Sequence, residues 1–192
     1  MRKVGRPQAP TDLREQILEV SLRLMGDGHS DNEVTIARIV DEVGCTPPTL
    51  YHYWANRELL LAEASARGWE RFRTSQRISP GALPLDRLRA RGRAYLDFAV
   101  AHPKLFGTLF LTRSPQPVDD ASLGDLVADV AEAMDAGSMR PGDPQQVALA
   151  LWAAVHGVAA LAYTNPTFGE HGAQATLSLL TDELLAARPV SG

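Results

Sequence analysis

Residues 35–57 read TIARIVDEVGCTPPTLYHYWANR, and the fold turns on how this stretch is punctuated. Thr35 opens it with a hydroxyl able to accept a bond from an orphan backbone N–H one turn further on. Ile36, Ile39, Val40 and Val43 then form an apolar stripe at helical spacing. Gly44 follows, where a helix ends in a left-handed conformation. Thr46 stands at the cap of the next helix and Pro47 at its first position, where a missing N–H costs nothing. Leu50 faces inward, with Tyr53 or Trp54 beside it, and Thr49, Tyr51 and His52 point outward. The pattern predicts two short helices around a tight turn, a helix-turn-helix.

The second of these helices differs in composition from the rest of the chain. Residues 46–56 contain no acid, although the whole chain is acidic. Hydroxyls, phenols and an imidazole can bond phosphate oxygens or base edges, and a threonine methyl can pack on a thymine methyl. The N-terminus of the helix adds free N–H groups and partial positive charge. Asn56 reads as the cap of a further helix, with Arg57 in its first turn, placed for a DNA backbone. The competing reading is an aromatic turn packed into a core. That reading suits Leu50 and one or two aromatics. Tyr51 and His52 fit it poorly, because burying both polar tips needs two partners the sequence does not offer. The residues read as DNA contacts are therefore Thr35, Thr46, Pro47, Pro48, Thr49, Tyr51, His52 and Arg57.

Residues Val34 to Leu61 resemble the DNA-binding domain of the tetracycline-repressor (TetR) family of transcriptional regulators. The likeness rests on a Thr-led helix, Gly44, the Thr46-Pro47 pair, Thr49-Leu50-Tyr51-His52-Tyr53-Trp54, a basic residue, and Glu58-Leu59-Leu60. Trp54 stands where phenylalanine is usual and Arg57 where lysine is usual; both keep the chemistry. The resemblance implies an all-α protein: an N-terminal three-helix DNA-binding domain and a C-terminal helical domain for ligand binding and dimerisation. It also implies a homodimer whose DNA affinity changes when a small ligand binds.

With 192 residues the chain has room for one small domain and one of medium size. It contains no run of eighteen or more apolar residues, which predicts no membrane span. No apolar signal core follows the basic N-terminus. One cysteine, Cys45, excludes an internal disulfide and fits a reducing cytoplasm. No Cys/His cluster has metal-ligand spacing, and neither metal nor cofactor is expected. A net charge of −4 argues at first against a nucleic-acid binder. Its distribution matters more: Arg2, Lys3 and Arg6 precede the first acid, Asp12. Local positive charge is enough for phosphate contacts that release counterions. Residues 1–10, with Gly5, Pro7 and Pro10, read either as a flexible tail or as a basic arm reaching into the minor groove.

The predicted domain order is the basic arm (1–10), the helix-turn-helix domain (11–57), a connecting helix (58–80) and the C-terminal domain (81–192). Thr11 caps the first helix, and Gly26 with Gly28 stops it. The connecting helix turns Leu59, Leu60, Ala64 and Trp69 inward, and the stretch from Pro80-Gly81 to Pro84 breaks it. Eight arginines lie within 67–93, and six acids without a base lie within 119–135. These are either two unrelated solvated faces or two segments that meet.

In the C-terminal domain, Asp86 is expected to cap a helix ending at His102-Pro103, followed by a short helix from Pro103 to about Thr112. A further helix opens at Asp119 or Asp120. The helix from Asp143 to about Tyr163 is apolar nearly all round, and a helix apolar on all sides must be buried on all sides. A second copy is its natural cover. With the last helix, about 171–187, it would form a two-fold four-helix interface. Trp152-Ala-Ala-Val-His156-Gly157 resembles the Trp-x-x-x-His-Gly pattern of one C-terminal subgroup of the same family. Trp152 and His156, four apart, share a helix face. His156 is then either a core histidine bonded to a backbone carbonyl, or the polar anchor of a ligand pocket lined by Tyr95, Phe106, Phe110 and Trp152.

These readings converge on a cytoplasmic, ligand-responsive repressor that binds a palindromic DNA operator as a homodimer and leaves it when a small, largely apolar effector binds. A helical enzyme for a small apolar substrate is the alternative of another class, but no nucleophile or carboxylate pair sits beside a plausible base at helical spacing. A dimer serving protein contacts alone is the third, and the intact TPPTLYHYW string argues against it.

Overall fold

The punctuation of residues 34–57 appears directly in the backbone of a computed structural model, which describes residues 13–26, 34–78, 82–111, 120–165 and 167–185. Helix α1 spans Leu13–Gly26, α2 Ile36–Val43, α3 Pro47–Tyr53 and α4 Arg57–Ser75. Helix α5 spans Pro84–Ala101, α6 Pro103–Phe106, α7 Asp120–Asp135, α8 Pro144–Thr164 and α9 Gly169–Leu185. A π-type turn, Gly107–Leu111, continues α6. Among the described residues there is no strand. The basic arm with Arg2, Lys3 and Arg6, the Thr11 cap and residues 186–187 lie outside the described residues.

The chain divides into two compact units, Met1–Gly68 and Trp69–Gly192, the division falling inside α4. In the first unit, Thr35 caps α2, its hydroxyl accepting from the Arg38 N–H at 3.3 Å. Gly44 ends α2 at φ 75°, its own N–H bonding the Val40 carbonyl at 2.9 Å. A side chain there would be strained in the left-handed region. Thr46 holds the cap position of α3 without a side-chain capping bond; its hydroxyl bonds that of Thr49 instead, at 2.9 Å. Pro47 at the first position removes an N–H that would have no partner in any case, and Pro48 at the second removes one that a capping side chain would serve. Asn56 caps α4, its side-chain oxygen accepting from the Leu59 N–H at 2.9 Å.

Ile17, Leu18 and Leu24 of α1, Ile39 of α2, Leu50 of α3 and Leu60 of α4 are fully buried. Each contributes about 1.5–3 kcal/mol relative to exposure. Leu59 departs from the expected inward set at 53% exposed. Leu60 and Ala64, four apart, define the buried line of α4, and Leu59 is a helical step away from it.

In the second unit, α5, α7, α8 and α9 pack side by side, α5 and α8 each meeting the other three. Helix α5 begins three residues earlier than expected, with Leu83 at the cap and Pro84 at its first position. Pro84 thus starts a helix rather than prolonging a break, and Asp86 sits in the first turn instead of capping it. The Arg-rich and acidic segments do meet. Arg87 donates to Asp129 at 2.8 Å and pairs with Glu132; Arg91 donates to Asp129 at 2.5 Å and approaches Asp125 at 4.0 Å. Arg87 also donates to the Ala82 carbonyl at 2.9 Å and Arg91 to that of Gln76 at 3.3 Å. Arg87 and Asp129 are both buried, and the Asp129 hydrogen bond raises the guanidinium pKa against the opposing effect of burial.

Helix α8 carries no uninterrupted apolar run of eighteen, yet it is long and apolar enough by length and composition to cross a membrane. Four of its residues, Ala148, Val155, Val158 and Ala159, are buried within the unit. Leu149, Ala153, Gly157 and Leu161, each four apart, form an exposed apolar line along it.

Candidate nucleic-acid interface and ligand site

Two groupings of side chains stand out, one in each unit. In the first, Leu50 and Trp54 are the inward pair of α3, four apart and both buried. That placement turns everything else outward. Thr46, Pro47, Pro48, Tyr51 and His52 are exposed, Tyr51 at 48%, and Thr49 is half-buried. The structure therefore assembles Thr46 to His52 on one open, acid-free surface. The Thr46–Thr49 bond uses one hydroxyl proton and leaves the other available as a donor.

Tyr53 is 38% exposed, beside His52 with ring centroids 5.3 Å apart. It belongs to this surface although the sequence left it undecided between surface and core. The deciding signal was the spacing itself, since only Trp54 lies four residues from Leu50. Thr35 is exposed but committed as the α2 cap. Arg57 is drawn into the fold: its Nε donates to the Val34 carbonyl at 2.7 Å and a terminal nitrogen lies 3.9 Å from Glu58. It ties the start of α4 to the entry of α2.

The end of α3 is held by a second device. The Trp54 indole N–H donates to Glu63 at 2.7 Å, Glu63 pairs with Arg14, and the Arg14 guanidinium lies 5.3 Å from the Trp54 ring centroid. Phenylalanine would fill the same space but could not make the bond to Glu63.

In the second unit, all five residues read as a ligand site come together. Trp152 stacks on His156 with centroids 5.3 Å apart and planes 27° apart. His156 faces Phe106 and Phe110 at 5.8 Å each, and Tyr95 at 6.3 Å. The Tyr95 hydroxyl lies 2.8 Å from His156 Nδ1. This replaces the backbone carbonyl expected as the partner of a core histidine. Burial raises the Tyr95 pKa, opposed by a hydrogen bond from Trp152. Burial lowers that of His156, which favours a neutral imidazole. With the imidazole neutral, the Tyr95 hydroxyl and Nδ1 share one hydrogen bond in which one donates and the other accepts.

Trp69, which the sequence turned inward, completes this aromatic cluster with Phe72 and Phe98, and none of the three was read from sequence as part of a ligand site. Phe72 stands edge-on to Tyr95, Phe98 and Phe110 at 5.3, 5.3 and 5.0 Å. Phe110 sits on the π turn, whose first residue, Gly107, lies against Tyr163: a Cβ there would meet its hydroxyl at 2.7 Å and displace that exposed side chain.

A helix-turn-helix with an exposed polar reading surface and a helical unit around a ring-lined cluster define a DNA-binding regulator of the two-domain helical type. The family description "Bacterial regulatory proteins, tetR family" matches residues 17–64, and "Tetracyclin repressor-like, C-terminal domain" matches residues 88–185. The chain belongs to the TetR family. No curated protein matches it by sequence.

Solved structures share the fold. A TetR-like transcriptional regulator from Rhodococcus sp. RHA1 has a TM-score of 0.67 at 22% identity, over 92% of this chain and 96% of its own. AibR in complex with isovaleryl coenzyme A and operator DNA gives 0.64 at 22% identity, over 91% and 98%. The transcriptional regulator FadR from Bacillus subtilis in complex with stearoyl-CoA gives 0.71 at 13% identity, over 91% and 99%. The protein is a ligand-responsive, DNA-binding transcriptional regulator.

Proposed function

We propose that the protein is a cytoplasmic repressor, regulatory rather than catalytic, which binds a palindromic operator as a homodimer and is released by a small, largely apolar effector. Residues 11–57 serve as the reading domain, with 1–10 as a basic arm, 58–80 as the connecting helix and 81–192 as the effector and dimer domain. The carrying observation is the outward, acid-free face of α3, with Tyr51 and His52 exposed while Leu50 and Trp54 fill the core. Hydroxyls and rings on such a face suit phosphate and base contacts in the major groove. Thr46, Pro47, Pro48, Thr49, Tyr51, His52 and Tyr53 form the contact set, with Thr35 and Arg57 holding the frame around them.

The effector reading rests on the convergence of Tyr95, Phe106, Phe110, Trp152 and His156. Aromatic walls with a few polar groups are the usual lining of a small-molecule site. AibR and FadR, which share this fold, are known with acyl-coenzyme A compounds, and that supports an effector with an acyl chain. Effector and operator favour different dimer conformations, so each weakens the other's binding by the same factor.

A gel-shift titration against duplex fragments from the protein's own gene neighbourhood tests the proposal. Wild type is expected to retain a specific fragment, and Tyr51→Ala to lose about tenfold or more in affinity, as for a contact worth 1–3 kcal/mol, with helicity and dimerisation unchanged. Equal retention by the variant would remove α3 as the reading element.

A further inference from the structure

The effector cluster contains one polar group that the reading above leaves unused. Trp69 is 4% exposed, and its indole Nε1–H has no hydrogen-bond partner in the protein among the described residues. Its ring meets Phe110 at 5.0 Å and Phe72 at 6.1 Å, both edge-to-face. A buried donor without an acceptor is costly, and phenylalanine would pack a ring there without the donor. The tryptophan is better explained by an acceptor that arrives from outside the chain.

We infer that the Trp69 indole N–H is the polar anchor of the effector, and that the effector presents to it a neutral acceptor, the carbonyl oxygen of a ketone, ester or thioester. The inference rests on the reading of the ring cluster as the effector site. The neutral character follows from the surroundings. The rings packed on Trp69 are those of Phe72 and Phe110, and burial favours the uncharged form of His156. One N–H cannot offset the dehydration of a buried carboxylate, whereas it satisfies a carbonyl that would otherwise lose its water. Phe110, half-buried on the π turn, meets both Trp69 and His156, at 5.0 and 5.8 Å, and so joins the indole to the rest of the ring cluster. Trp69 also belongs to α4, the helix in which the two units divide. A carbonyl held there is bonded to the helix that continues into the reading unit.

The test uses the full chain and two probes of matched shape, acetophenone and ethylbenzene, which differ by a carbonyl in place of a methylene. Calorimetric titration of wild type and Trp69→Phe is read as the ratio of affinities for the same probe, which cancels hydration differences between probes. The expected result is about a tenfold loss for acetophenone and a change within twofold for ethylbenzene. In wild type, the Trp69 indole proton, identified among the three tryptophans by its absence in the variant or by elimination with Trp54→Phe and Trp152→Phe, should shift downfield with acetophenone and stay in place with ethylbenzene. This second measurement holds even if Trp69→Phe fails to fold. An unchanged acetophenone affinity, or an indole proton indifferent to the carbonyl, overturns the anchor and leaves the effector site standing. Wild type that binds neither probe overturns the effector site, and the anchor with it.

Discussion

Trp54 shows how much can depend on one ring nitrogen. Its ring is buried with the Arg14 guanidinium of α1 over it, and its N–H reaches Glu63 on α4, which pairs in turn with Arg14. Three helices are thereby locked at the point where α3 ends, so the reading residues just before it sit on a fixed base. Trp54→Phe keeps the packing and removes the bond. Glu63 is partly exposed, so the loss is expected to be about 1 kcal/mol, the ordinary net value of a hydrogen bond to a charged group discounted for solvent. A double-mutant cycle with Glu63→Ala, read by urea denaturation, should return a coupling of about that size. A coupling near zero would mean that packing alone positions α3. The residue alphabet alone could not reveal this: Trp54 was legible as a core residue from its spacing to Leu50, but its partner lies on another helix, and no local pattern encodes that distance.

At the scale of elements, the helix-turn-helix was legible because its signals are local. Thr35, Gly44, Pro47 and Asn56 act on the backbone within one turn of themselves, and the caps fall where those residues stand. The second unit was less legible because its organising contacts are long-range. Nothing in the stretches 67–93 and 119–135 says whether they meet, yet Arg87 and Arg91 of α5 share Asp129 of α7. The π turn after α6 was equally hidden: it reads as helix by composition, and the wide turn arises where Gly107 passes beneath the Tyr163 hydroxyl. The α5–α7 pairing yields a ranking. Removing one partner of a buried pair strands the other charge, while removing a solvent-facing partner costs little. Asp129→Ala, which removes the buried carboxylate shared by Arg87 and Arg91, should lower Tm far more than Glu132→Ala or Asp125→Ala, whose carboxylates are largely exposed. Three equal and small shifts in a thermal melt would show that α5 and α7 are held by their apolar contacts, Leu88 against Val130 and Ala133, and that the charges only decorate them.

For the whole molecule the decisive element is α8, because the monomer leaves it half-covered. Gly157 lies in mid-helix, where glycine costs about 1 kcal/mol relative to alanine. A Cβ built there meets nothing within 4 Å, so no neighbour among the described residues requires its absence. The reason must come from outside, and the exposed line through Leu149, Ala153, Gly157 and Leu161 says what kind: an apolar surface of low relief onto which another helix can close. Leu179, on α9 packed beside α8, is also exposed, at 65%. A two-fold axis across this face brings Gly157 of each copy near the other, and two DNA-reading units are then held at one separation. Gly157→Leu separates the roles of helix and interface. Within one chain it adds a good helix former into open space, so the monomer fold should be retained or slightly stabilised. Between chains it inserts a branched side chain where backbones approach, and overpacking of that kind costs about 1–3 kcal/mol at each copy. Sedimentation equilibrium should show dimer dissociation strengthened by tenfold or more, with circular dichroism unchanged and operator affinity falling in parallel at low protein concentration. A Gly157→Leu protein that remained as firmly dimeric as wild type would move the interface off this face of α8 and would leave the glycine without a physical reason.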